Sequence, residues 1–361
     1  MKHNLIFSFI IISIIKAQTS IISGFVSDSS SGEALIGANV FLQETGQGMA
    51  TDINGYYIIQ DIAPGNYTIM VSYIGFDMYK QNTRLNDDES KKVNINLVEQ
   101  VVELTEVEVT AEKLQRKNNI QPSKINLSPR MMKAAPALAE PDLFRTIQAL
   151  PGVLTTSEFS TGLVIRGGNT DQNLIMLDGI TVYNPSHLGG VFSNFIVDGV
   201  KEAELIKGAY NAEYGGRLSA VLNVISREGN KNEFKGKANL SLLSAQTTLE
   251  GPFYKGAWVL SGRRTYFDLV LPKVLPDNIN ANIPPYYFYD IQSHVFSDIT
   301  SKDRISLSYY SGIDDLLFDT FGLDGQWGNN TVSAHYSIVI SESLVGNILI
   351  ALCSCSFICE A

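Results

Sequence analysis

No cysteine precedes Cys353; the three present, Cys353, Cys355 and Cys359, crowd the last nine positions. An odd, terminal cluster builds no disulfide framework in an exported protein, and with no histidine beside it there is no metal set. The cluster is therefore read as without function. Basic residues are outnumbered, 27 Lys and Arg against 37 Asp and Glu, for a net charge of -10. That balance argues against nucleic acid as a partner. Nor is there an apolar run of the roughly 20 residues that cross a bilayer as a helix. None of His3, His187, His294 or His335 is followed by Glu at the third position. A zinc peptidase's His-x-x-Glu pair is thus lacking, and so is the Gly-x-Ser-x-Gly of an esterase. Gly167, Gly168, Gly215 and Gly216 are not followed by Lys-Ser/Thr, so they frame no phosphate cradle. The chain is read as no enzyme, with no cofactor and no metal ligands.

Leu5 to Ile15 is apolar, follows Lys2, and ends at Lys16-Ala17-Gln18. This is the pattern of a secretory signal peptide, residues 1–17, cleaved after Ala17. No cysteine follows it, so lipid modification is not expected. From 20 to 98, short apolar alternations are punctuated by turn residues. Val93, Ile95 and Leu97 alternate with Asn94 and Asn96; Tyr67, Ile69, Val71 and Tyr73 alternate with Thr68 and Ser72, Met70 breaking the pattern. Val40-Phe41-Leu42 reads as a strand buried on both faces. Period-2 patterning of this kind predicts an antiparallel sandwich. Asp52-Ile53-Asn54-Gly55 reads as a tight turn and lacks the further acidic ligands of a calcium loop.

Residues 124–230 mix short apolar runs with Gly-rich turns, which predicts a small α/β unit. Pro141 to Gly152 carries a helix with Leu143, Ile147 and Leu150 on one face, Pro141 in its first turn and Pro151-Gly152 as its stop. The stretch continues through Leu163-Val-Ile-Arg-Gly-Gly168, Leu177-Asp178-Gly179, Glu204-Leu-Ile-Lys-Gly208 and Tyr214-Gly-Gly-Arg-Leu-Ser219. In this order and spacing the pieces resemble the plug domain of TonB-dependent outer-membrane transporters. Residues 20–98 likewise resemble the carboxypeptidase-regulatory-like domain, a transthyretin-like sandwich found ahead of such plugs.

Several expectations follow from the resemblance. Residues 99–123 form an extended strand and a polar linker, and a lone strand can be captured by another protein's sheet edge. Glu106, Val107, Glu108, Val109, Thr110 and Ala111 resemble the TonB box; the other reading is the sandwich's last strand. Arg166 and Arg217 are expected to meet acidic residues on the inner wall of a barrel, the alternative being exposure at the periplasmic face. Tyr183, Asn184 and His187 lie on a loop implied to face the ligand. The implied partners are TonB of the inner-membrane energising complex, a small ligand, outer-membrane lipids and a surface lipoprotein; the implied location is the outer membrane, with sandwich and TonB box in the periplasm.

From 231 to 361 the pattern is that of strands: Phe234 to Leu249, Phe253 to Tyr266, Tyr286 to Ser297, Arg304 to Ser311, Thr331 to Ile340, and Leu344 to Phe357 as a sixth. Ile305, Leu307 and Tyr309 alternate with Arg304, Ser306 and Ser308, the dyad of a membrane barrel, and aromatics crowd the strand ends. A barrel of about 22 strands needs far more chain than follows Gly229, so the barrel is expected to be incomplete and the chain end not a natural C-terminus. The expected fold is mainly β: sandwich, mixed α/β plug, then the first strands of an antiparallel transmembrane barrel. The expected function is receptor-mediated uptake of a metal chelate, vitamin, oligosaccharide or peptide. The alternative is a surface binding or adhesion protein that uses the sandwich without transport.

Overall fold

The computed structural model describes residues 20–100, 124–135, 140–157, 160–274, 285–300, 302–318, 323–341 and 344–360. The leader at 1–17 and the six residues from Glu106 to Ala111 lie outside the described residues. Contacts divide the chain into two compact units, Met1–Ser27 with Ala34–Val101, and Asp28–Glu33 with Val102–Ala361.

The first unit is a sandwich. Its strands are β1 (Ser20–Asp28), β2 (Asn39–Leu42), β3 (Gly48–Ala50), β4 (Tyr56–Ile62), β5 (Gly65–Ser72), β6 (Tyr79–Leu85), β7 (Ser90–Lys92) and β8 (Ile95–Leu97). One sheet runs β4-β1-β7 with β8 also on β1, the other β3-β2-β5-β6. The sandwich departs from purely antiparallel order where β7 pairs with β1 in parallel, after the chain switches sheets beyond β6. Ile22, Val40, Leu42, Ile59, Ile69, Val71, Ile95 and Leu97 meet in one core. Phe41 is only half-buried, so β2 alternates and is not covered on both faces. Asp52 makes its own turn: one carboxylate oxygen accepts the amides of Asn54 and Tyr56 at 2.9 and 2.8 Å.

The second unit opens with a mixed layer: β9 (Lys124–Leu127), helices α1 (Pro129–Ala134) and α2 (Leu143–Gln148), then β10 (Val153–Thr155), β11 (Leu163–Ile165), β12 (Leu174–Leu177), β13 (Ile180–Thr181), β14 (Ser186–His187), β15 (Phe192–Ser193), β16 (Val200–Ile206) and β17 (Val221–Ser226). The main sheet is ordered β13-β12-β17-β16-β9. Leu143, Phe144 and Ile147 bury against it, with Leu150 packed beside them. Asp142 caps α2, accepting the Arg145 amide at 3.0 Å. Pro141 therefore precedes the cap instead of filling the first turn, because the carboxylate is the acceptor the free amide needs. Asp178 and Gly179 turn the β12–β13 hairpin with φ of 50° and 82°, the two positive angles of a type I′ turn.

An antiparallel meander completes the unit: β18 (Lys235–Leu240), β19 (Ser244–Phe253), β20 (Gly256–Thr265), helix α3 (Phe267–Val274), β21 (Tyr286–Asp298), β22 (Asp303–Phe318), β23 (Leu323–Ser341) and β24 (Leu344–Glu360), paired in sequence order. Among the described residues there are seven strands where six are expected. Phe234 to Leu249 is a hairpin and not one strand, since the Ser241 hydroxyl accepts the amides of Leu243 and Ser244 at 3.1 and 2.9 Å. Leu242 and Leu243 hide that serine turn in an apolar run. One face of the meander carries Ser261, Arg263, Asp290, Gln292, Tyr310, Asp314, Thr331 and Ser333, all buried; the other exposes Leu260, Ile291, Ile305, Leu307, Tyr309 and Val332. Polar inside and apolar outside is the dyad of a membrane barrel. β24 breaks it. Leu349, Ala351 and Cys353 share the inner face with His335, Ser333 and Thr331, and Ile348, Ile350 and Leu352 on the other parity are exposed and apolar too.

Candidate functional site

Where the mixed layer meets the inner face of the meander, strand parity collects charged groups in a dry place. β14 delivers His187, β20 Arg263, β21 Asp290 and β22 Asp314, and the segment before α2 supplies Glu140; each of the five is buried. Arg263 is the hub. Its Nε and Nη2 donate to Asp290 at 2.8 and 2.5 Å, Nη1 donates to Glu140 at 2.7 Å, and Nη2 also reaches the Ser193 carbonyl at 2.6 Å. Its guanidinium also lies over the Phe288 ring, 5.0 Å from the centroid. The Glu140 carboxylate accepts further bonds from Ser244 and from Gln246.

His187 bridges the two acids. Nε2 lies 2.8 Å from Asp290 and Nδ1 2.8 Å from Asp314. The ring stacks on Phe288, centroids 4.1 Å apart and planes 6° from parallel. Tyr310 donates to Asp290 at 2.9 Å, and Tyr286 and the Leu188 amide donate to Asp314. Burial by itself would push the His187 pKa down, but Asp290 and then Asp314 outweigh it and hold the imidazole above its usual range. Such a site moves no bond. It is a charge-assisted clasp, strong because the dielectric is low and the partners are preset.

Asp198 makes a second tie. It accepts Lys133 of α1, and Lys237 and Asn239 of β18 at 2.6 Å each. Burial would raise its pKa, but the two ammonium groups hold the carboxylate below its ordinary range. Near it a cavity of about 390 Å³ opens, bordered by Lys133, Glu140, Asp198, Lys237, Asn239 and Gln246. A third contact is close packing without charge. Gln292 donates to the Gly199 carbonyl at 3.3 Å and to Ser226 at 2.8 Å, and a Cβ on Gly199 would stand 2.9 Å from the Ser261 hydroxyl.

The residues singled out by sequence fall elsewhere. Arg166 is exposed in a left-handed turn with φ of 48°. Arg217 is half-buried and donates to the neighbouring Gly216 carbonyl at 3.4 Å. Neither is among the groups that form the clasp; the arginine that meets carboxylates there belongs to the wall, and the carboxylate Glu140 to the mixed layer. Tyr183 stands exposed, and the Asn184 carbonyl accepts Asn194 and Asn329. His187, read as lying on a ligand-facing loop, is instead fully buried, because two wall carboxylates and the Phe288 face draw it in. A signal for the clasp was available: Arg263 and Asp290 are charges at inward parity within alternating strands. Their mutual distance was not.

Comparison with known proteins bears on this arrangement. Residues 22–109 match the family model described as CarboxypepD_reg-like domain, and residues 127–221 that of the TonB-dependent Receptor Plug Domain. The chain is 25% identical over 233 residues to the TonB-dependent transporter Oar of Myxococcus xanthus, covering 61% of this chain and 21% of that protein. It is 29% identical over 227 residues to a TonB-dependent receptor of Formosa agariphila, covering 59% of this chain and 21% of that protein. Both relatives are a transporter or receptor, not an enzyme. Among solved structures it is similar to the siderophore receptor PirA of Pseudomonas aeruginosa, with a TM-score of 0.49, 16% identity, and 66% of this chain and 41% of that one covered. The chain spans about a fifth of the length of the curated relatives it matches.

Proposed function

We infer that this chain, a member of the TonB-dependent receptors with a CarboxypepD_reg-like domain ahead of its plug, serves the active uptake of a small nutrient across the outer membrane. The nutrient is a metal chelate, vitamin, oligosaccharide or peptide. The assigned parts are a leader at 1–17, a periplasmic sandwich at 20–98, a TonB-box strand and linker at 99–123, the plug at 124–230, and barrel wall at 231–361. Energy enters when TonB, anchored in the inner membrane, pairs with Glu106–Ala111 and pulls. The linker ends at β9, the edge strand of the plug sheet, so the pull reaches the plug first.

The observation that carries this reading is the clasp of Arg263, Asp290, Asp314, His187 and Glu140. A plug held in its wall by few, directional, buried charges is stable at rest and gives way as a unit, since separating such groups exposes each to water. The cavity beside β18 and β19, lined by charged groups together with Pro141, Val197 and Leu240, is where a passage would widen, and the apolar outer face suits lipid. The test is Val109→Pro in the transporter expressed in cells. Proline removes an amide and blocks strand addition. Energised uptake is expected to fall to background while ligand binding at the cell surface persists; unchanged uptake sinks the assignment of the box.

A further inference from the structure

The clasp holds more carboxylate than guanidinium. Asp290, Asp314 and Glu140 face Arg263 alone unless His187 carries a charge. The hydrogen bonds say where that charge sits. A neutral imidazole has one donor nitrogen and one lone pair, yet both nitrogens lie 2.8 Å from a carboxylate oxygen. Asp290 has no room to supply the missing proton, and on Asp314 only the oxygen shared with His187 is left. Asp290 already accepts Tyr310 on Oδ1 and Arg263 on Oδ2. Asp314 accepts Tyr286 and the Leu188 amide on Oδ1, leaving Oδ2 for His187. Asp290 is thus an acceptor throughout, and the proton shared between Asp314 Oδ2 and Nδ1 goes to the stronger base, the imidazole, which makes His187 the imidazolium.

We propose that the proton on His187 is a pin: bound, it seats the β14–β15 hairpin of the plug on β21 and β22, and its loss on moving to alkaline pH unseats that hairpin. This concerns the plug's resting hold on the wall and does not depend on which solute is carried or on TonB. Among the described residues, the charged and titratable groups around the imidazole and its two acids are Asp290 and Tyr286 from β21, Asp314 and Tyr310 from β22, Arg263 from β20, and, behind Arg263, Glu140 from the plug. Arg263 stays charged and the tyrosines stay neutral across the range in which a raised histidine titrates. His187 is the described group there whose ordinary range lies nearest neutral pH. Deprotonation takes one donor from one of the two carboxylates and removes the positive charge that offsets them in a buried site, which is costly. The sign follows from the raised pKa. The pin is fully in place below the histidine's unfolded value and is lost as pH climbs through the higher folded value.

The test uses the whole chain in detergent micelles, with hydrogen exchange of the 186–193 segment followed from about pH 5.5 to about pH 9.5. Exchange in His187→Gln is divided by that of the wild type at each pH, which cancels the intrinsic pH dependence of exchange. The ratio is expected to be well above one in acid and to fall toward one once the folded pKa is passed, by up to about tenfold per pH unit. A ratio that stays flat across the range overturns the proposal. Should His187→Gln fail to seat its plug at any pH, histidine-labelled wild type answers the same question by NMR. One histidine doubly protonated at about pH 7.5 is expected, and only neutral imidazoles there overturn it. Asp314→Asn adds a third arm. It removes one of the two acids, so the wild-type alkaline transition is expected to move to lower pH, and an unmoved transition counts against the pin.

Discussion

Arg263 and Arg264 are neighbours on one strand, and parity gives them different fates. Arg263 points inward, buried between Asp290 and Glu140; Arg264 points outward, paired to Asp268 with 42% of its side chain exposed. Breaking a buried pair from one side strands the partner charge, at about 3–5 kcal/mol. An exposed pair contributes about 1 kcal/mol or less. Arg263→Gln is therefore expected to lower unfolding free energy by about 3–5 kcal/mol in urea titrations, and Arg264→Gln by under about 1 kcal/mol. Equal losses would mean that Arg263 is not shielded from water. At this scale the sequence was partly legible. Alternation from Ile305 to Tyr309 assigns faces, and the same count puts Arg263 and Asp290 inside. Arg166 and Arg217 stood out in glycine-rich motifs instead, but those motifs are turns, and turns place side chains near the surface.

Turns also decide how far an element could be read. Leu177-Asp178-Gly179 announces its hairpin because the two central residues need positive φ and have the side chains to accept it. Asp178 then reaches across to Ser226, accepting its amide at 2.8 Å and its hydroxyl at 2.6 Å. Gly179→Val places a β-branched residue at φ of 82°, with a new Cβ 3.2 Å from the Leu349 side chain. It is expected to cost about 1–2 kcal/mol from backbone strain, with Gly179→Asn milder, measured as shifts in the urea midpoint; an equal cost for both would point to the Leu349 contact alone. Ser241 to Ser244 is the opposite case. Its serine hydroxyl serves as the turn's acceptor, but two leucines sit between, so the apolar run reads straight through and a hairpin looks like one strand. Likewise α2 starts at the Asp142 cap, one residue beyond where Pro141 suggested.

At the scale of the molecule, seven antiparallel strands present a polar face to the plug and an apolar face outward, save β24, which is apolar on both. If lipid is the outer solvent, Leu307→Arg on β22 is expected to lower the free energy of folding into vesicles by about 2–4 kcal/mol when near the midplane, and Leu307→Ala far less. Equal effects would place that face outside hydrocarbon. The sequence by itself determined that this chain is mainly β, that a sandwich precedes a plug, and that alternating strands follow. Those features are local: a period of two, a positive-φ turn and a cap are each complete within a few residues. Only the tertiary structure decided which charges meet. Arg263 finds Glu140 across 123 positions and His187 finds Asp314 across 127. Such pairs leave no periodic trace, since they depend on register across several strands and on the plug seating against the wall, where the cost of a buried charge without a partner selects the arrangement.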